Sequence, residues 1–169
     1  MIRRTALPAA ILSLLLIASC QRETEGKAVE VSGRLFVFNY RVAMANYLVT
    51  LRKLQPLPEG SFAEAVFENP KGGAALTARE KIFPIDDKIS LQSTPVHCVV
   101  ADRPYAVTIR IVAASGAVLQ TLETSITSDV DQTVLPAKPL VVGPGYAPNP
   151  EVFLADGSRD MAPESDCPK

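Results

Sequence analysis

His97 and Cys98 stand side by side, and an imidazole next to a thiol is the pairing in this chain best suited to hold a metal or activate a nucleophile. His97 is the only histidine among the 169 residues. Neighbours on an extended strand point to opposite faces, so the two cannot easily share one ligand or act together as base and nucleophile. A metal site usually needs about three or four donors, and no other residue is spaced to join them. The carboxylates of Asp86-Asp87 and of Ser128-Asp129-Val130-Asp131 lack the glycine and the terminal bidentate glutamate of a calcium loop, so they read as solvated turn residues. The sequence has no Gly-x-Ser-x-Gly elbow, Ser-x-x-Lys pair, phosphate loop or dinucleotide fingerprint. The sequence therefore predicts no catalytic residue, no metal site and no cofactor, in a protein that is not an enzyme.

Cysteine chemistry of another kind stands at the start of the chain. Arg3 and Arg4 precede an apolar run from Ala6 to Ile17, too short and wrongly flanked for a transmembrane helix but right for a secretory signal. Ile17-Ala18-Ser19-Cys20 then closes the run with small residues before a cysteine. This resembles the box that the lipoprotein signal peptidase of bacteria reads; the other reading is an ordinary signal peptide with an incidental cysteine. The resemblance implies cleavage of residues 1–19 and lipidation of Cys20 by a diacylglyceryl thioether and an amide-linked acyl chain. At about 0.8 kcal/mol per buried CH₂ over several chains, such an anchor in the membrane is effectively permanent. Residues 20–27 are polar and form a tether. Gln21, where inner-membrane lipoproteins usually carry Asp, resembles the kind sorted onward, which implies the inner leaflet of the outer membrane, facing the periplasm.

Losing Arg3 and Arg4 leaves 15 basic against 18 acidic side chains, a net charge of −3. A mildly acidic domain without a basic stripe argues against nucleic acid as a partner. With Cys20 taken by lipid, Cys98 and Cys167 are two thiols in an oxidising compartment, and a disulfide between them is the economical expectation. The alternative leaves Cys98 as a buried hydrophobe and Cys167 free in a frayed terminus.

The rest of the chain must position whatever acts. Abundant Val, Ile, Leu, Thr and Pro predict a mostly β fold, a single antiparallel β-sandwich or partly open barrel over residues 28–143. Val29, Val31, Leu35 and Val37 alternate with polar residues and predict one strand, with Phe36 and Phe38 breaking the alternation at its end. Tyr47, Val49 and Leu51 predict the inward face of the next, which ends at Pro56 and Pro58. Residues 60–68 read as a short helix, a single helical turn or an irregular loop. Leu76–Phe83 and Lys88–Gln92 read as strands. Tyr105, Val107, Ile109 and Ile111 predict one face of a hairpin turning at Ser115-Gly116. The extended run continues through Ile126, Val130, Val134 and Leu135, with a last short strand at Leu140–Val142. From 144 to 169 a Pro-rich tail follows, draped over the domain through Tyr146, Val152 and Phe153.

Val31-Ser32-Gly33, Tyr40-Arg41-Val42-Ala43-Met44 leading into Val49-Thr50-Leu51, and Arg103-Pro104-Tyr105-Ala106-Val107 with Gly116 together resemble the YbaY/YscW-type small envelope lipoproteins, over roughly residues 29–124. The resemblance implies a pilotin-like chaperone or accessory of another envelope protein. The alternative is a structural or inhibitory lipoprotein acting on a cell-wall enzyme or polymer. The stretch from Arg34 to Tyr40 is long, aromatic and free of proline, which suits an edge to which a partner strand can bond. Phe36, Phe38, Tyr40 and Tyr47 are accordingly the partner-binding candidates, with core packing as the competing reading for each.

Overall fold

The computed structural model describes residues 26–168, so the apolar run and Cys20 lie outside the described residues. The chain is mostly β, built from antiparallel sheets that do not close into a barrel. Strands β1 (Val29–Asn39), β2 (Met44–Lys53) and β5 (Lys88–Gln92) form one sheet in the order β1-β2-β5. Strands β3 (Phe62–Phe67), β4 (Leu76–Lys81), β6 (Pro104–Val112) and β7 (Val118–Thr127) form the other, in the order β4-β3-β6-β7. Among the described residues no helix is long and apolar enough to cross a membrane.

Alternation decides the core. Tyr47, Val49 and Leu51 of β2 face Ala63, Ala65 and Phe67 of β3 and Tyr105, Val107, Ile109 and Ile111 of β6, and all of them are buried. The intervening Arg110 is exposed, as period-two geometry requires. At the tip of the β6–β7 hairpin Gly116 has φ +87°, a left-handed conformation that the Ser115-Gly116 turn needs. β7 stops at Thr127, short of the expected run; residues Gln132–Val134 form a 3₁₀ turn instead.

β3 corrects the helix expected near 60–68. Alanine and glutamate favour a helix locally, but β3 is an inner strand bonded on both sides, to β4 and to β6. Ala63 and Ala65 turn small side chains to the core, and Glu64 on the other face pairs with Arg79 at 3.4 Å and Arg110 at 3.1 Å, its direct cross-strand neighbours. Packing and pairing outweigh propensity here.

β1 corrects a second expectation. Its register against β2 shifts between Val31 and Gly33, a β-bulge that inverts every side chain beyond it. Val29 is inside before the bulge; after it Phe36 turns in, while Leu35 and Val37 turn out to solvent. Ser32 donates to the Thr50 carbonyl across the bulge at 3.1 Å. At the start of the strand, the Gln120 amide oxygen accepts from the Ala28 and Val29 N–H groups at 2.8 and 3.0 Å, and its nitrogen donates to the Val29 carbonyl at 2.9 Å. One side chain of β7 thus caps the end of the β1 edge.

The expected boundary at residue 144 falls inside a small ladder of β8 (Val141–Val142) and β9 (Ala147–Pro148). Residues 138–160 fold around Asn149, which is buried, donates to the Pro139 carbonyl at 2.7 Å and accepts from the Glu151 N–H at 3.0 Å. Val152 is buried, whereas Tyr146 lies exposed beneath the Arg41 guanidinium. Prolines fragment regular structure here without detaching the segment from the domain.

Candidate functional site

The four aromatics proposed for partner binding divide into two groups. Tyr47 is fully buried, with its ring centroid 4.4 Å from that of Phe36 and 5.0 Å from that of Phe67. Its hydroxyl donates to the Glu68 carbonyl at 2.9 Å. Burial, then the neighbouring Tyr105 and Glu68, hold that hydroxyl well above the ordinary tyrosine range, so it remains a donor. Phe36 is buried against Tyr47 and Tyr105. Phe38 is half-buried at the edge of the same cluster. Tyr47 and Phe36 are therefore core residues, and Tyr40 alone of the four is largely exposed, at 48 %.

The bulge exposes a different set. Leu35, 48 % exposed, and Val37 lie on the outer face of the first sheet, beside Leu48 and Met44 of β2. Ser32-Gly33 inside an otherwise regular strand was the signal for this inversion, since a glycine there marks a bulge. The patch is uncharged and runs to the open edge of the sheet, because β1 pairs only with β2. Among the described residues nothing bonds to the outer edge of β1 beyond the Gln120 cap. The other edges of the two larger sheets each carry charge. β4 carries Arg79, Glu80 and Lys81; β5 has five residues and begins with Lys88; β7 carries Glu123. Leu35 to Asn39 is a charge-free stretch of edge, as is Val118–Leu122 of β7.

His97 and Cys98 lie outside the strands, in a segment where Cys98 has φ +64°. They take separate partners. The Cys98 and Cys167 sulfurs are bonded, with Cα atoms 5.4 Å apart. The His97 Nδ1 lies 2.8 Å from a Glu164 oxygen. Donor atoms of Cys98, Glu164 and Cys167 converge within 4.8 Å, but sulfurs joined to each other are not thiolates and cannot act as a metal's thiolate ligands. Lys71 also holds the tail, through Glu164 at 3.3 Å and Asp166 at 3.1 Å. Its ammonium is raised above the ordinary range, first by Asp166 and then by Glu164.

Next to the disulfide is a cavity of about 590 Å³ lined by residues that include Glu68, Lys71, Gly72, Cys98, Val100 and Arg103. Each of its charges already has a counter-ion, Arg103 lying 2.6 Å from Glu68 and stacking on Tyr105. Nothing in its lining pairs a nucleophile with a base.

No protein-family model matches the chain, and no curated protein matches it. Among solved structures, the chain is similar to the Pseudomonas fluorescens alkylpurine DNA glycosylase AlkC bound to DNA containing an abasic site analog. The identity is 14 %, the TM-score 0.34, and the match covers 62 % of this chain and 32 % of that one. The chain thus spans about a third of that protein. A likeness this slight bears on neither fold nor activity.

Proposed function

We propose that this is a lipid-anchored protein of the bacterial envelope, a non-enzymatic binding module that holds an extended segment of a partner protein along the open edge of β1. The observation that carries the reading is the uncharged run Leu35–Asn39, with unpaired edge groups and an apolar patch of Leu35, Val37 and Met44 beside it. Strand addition to such an edge draws affinity from main-chain hydrogen bonds and specificity from alternate side chains. The Ile17-Ala18-Ser19-Cys20 box supports the anchor, and the resemblance to YbaY/YscW-type lipoproteins supports a pilotin-like partner relation.

The address is tested by growing cells on labelled palmitate. The wild-type chain is expected to carry label and to sediment with membranes, and Cys20→Ser to lose both. Unlabelled wild type, or wild type fractionating with soluble periplasm, overturns the anchor.

A further inference from the structure

The chain enters the domain at one end of the sandwich, and that end carries the most exposed large apolar side chain among the described residues. Ala28 is fixed there by the Leu54 N–H, which donates to its carbonyl at 2.9 Å, and by its own N–H donating to Gln120. Val29 pairs with Lys53 and Arg52 with Lys88, so the start of β1, the end of β2 and the start of β5 lie together. Phe62 pairs with both Lys81 and Val112, which puts the end of β4 beside the base of the β6–β7 hairpin. The turn from β4 to β5 stands at this end. In it Phe83 is 50 % and Ile85 88 % exposed, with Pro84 exposed between them. Val118 and Leu119, also exposed, begin β7 at the same end.

Single exposed apolar side chains are common on protein surfaces. This turn differs in that its backbone is satisfied from within. The Phe83 N–H donates to the Asp86 carboxylate at 3.1 Å, and the Asp86 N–H donates to the Phe83 carbonyl at 3.1 Å. Lys53 Nζ donates to the Phe83 and Pro84 carbonyls at 3.4 and 2.8 Å, and a proline has no N–H. A poorly hydrated layer therefore strips no partner from the backbone of Phe83 or Pro84, the cost that ordinarily keeps loops out of lipid. Lys27, Lys53, Lys81 and Lys88 at this end are matched in number by Glu59, Glu80, Asp86 and Asp87, so apolar contact and not net charge is what the end offers. Eight residues separate Cys20 from Ala28, a reach of at most about 29 Å, whereas β1, with 11 residues, runs about 35 Å. A lipid on Cys20 thus holds this end near the bilayer, at the high effective concentration that a short apolar turn needs.

We propose that the β4–β5 turn docks on the phospholipid surface that holds the anchor, with Phe83, Pro84 and Ile85 in the interfacial layer. The proposal rests on the lipid anchor of the proposed function, and it orients the domain with the Leu35–Asn39 edge directed away from the bilayer.

The test uses the absence of tryptophan from the sequence. Ile85→Trp is made in the chain from Cys20 onward, with Asp129→Trp, exposed in the loop after β7 at the opposite end, as the comparison. Cys20, the thiol outside the disulfide, is coupled to a maleimide lipid in vesicles of phosphatidylethanolamine and phosphatidylglycerol that contain brominated acyl chains. The coupling supplies the tether whether or not cells acylate Cys20, so failure here and failure of the palmitate test are separate results. Tryptophan at position 85 is expected to shift its emission to the blue and to be quenched by the brominated lipid, and tryptophan at 129 to show neither. Phe83→Trp is expected to be quenched likewise, and adding Ile85→Asp, which leaves the fold intact because the side chain is exposed, to lower the docked population about tenfold or more. No shift and no quenching at position 85, equal quenching at 129, or quenching at 83 unchanged by Ile85→Asp overturns the proposal.

Discussion

Tyr47→Ala is expected to cost about 3–5 kcal/mol in denaturant unfolding, against a change within about 0.5 kcal/mol for Tyr40→Ala. The difference follows from position. Tyr47 is fully buried, stacked on Phe67 with an interplanar angle of 15°, packed against Phe36, and bonded through its hydroxyl to Glu68. Truncation leaves a cavity where the two sheets meet and orphans that carbonyl. Tyr40 sits in the 3₁₀ turn after β1 and is largely exposed. Tyr47→Phe separates the hydroxyl from the ring. Because the folded protein holds this hydroxyl above the ordinary tyrosine value of about 10, the unfolded chain binds fewer protons than the folded one above that pH. Stability contributed by Tyr47 is therefore intact below about pH 10 and falls as the pH rises further. Unfolding curves at alkaline pH should fall less steeply for Tyr47→Phe than for wild type. Equal stability of the Tyr47→Ala and Tyr40→Ala chains would contradict the core assignment.

Removal of the disulfide has the second large effect. Cys98 and Cys167 close a loop with a sequence separation of 69 residues, for which the chain-entropy relation gives about 4 kcal/mol, with measured values typically about 2–4. The exposed pairs from Lys71 to Glu164 and Asp166 replace little of this, since such pairs are each worth about 0–1 kcal/mol. Cys98→Ala/Cys167→Ala should lower the thermal midpoint and become insensitive to reductant, whereas wild type should fall to the same midpoint when reduced. A wild-type midpoint indifferent to reductant would mean that the tail adds nothing to the stability of the domain.

Where local pattern and long-range packing agree, the fold was legible. The β6–β7 hairpin is such a case, with Tyr105, Val107, Ile109 and Ile111 on one face and Ser115-Gly116 at the turn. β3 was not legible, because an alanine- and glutamate-bearing stretch becomes a strand only through its two neighbours. The tail was read as draped through Tyr146, Val152 and Phe153, yet of these Val152 is the one buried, and pairing of Val141 with Pro148 is not written in a proline-rich composition. The two faces of β1 were exchanged for one reason. Alternation carried forward from Val29 puts Leu35 and Val37 inside, and the bulge at Gly33 reverses it, sending Phe36 in and Leu35 and Val37 out to solvent.

Site-specific photocrosslinking in living cells tests the β1 edge most directly, since it needs no prior identity for the partner. A benzophenone side chain replaces Leu35, Val37 or Tyr40 in turn, and Arg79 on the charged edge of β4 serves as the comparison position. Discrete adducts of one mass increment from Leu35 and Val37, with none from Arg79, are the predicted result. No adduct from any β1 position, or the same adducts from Arg79, would contradict binding at that edge.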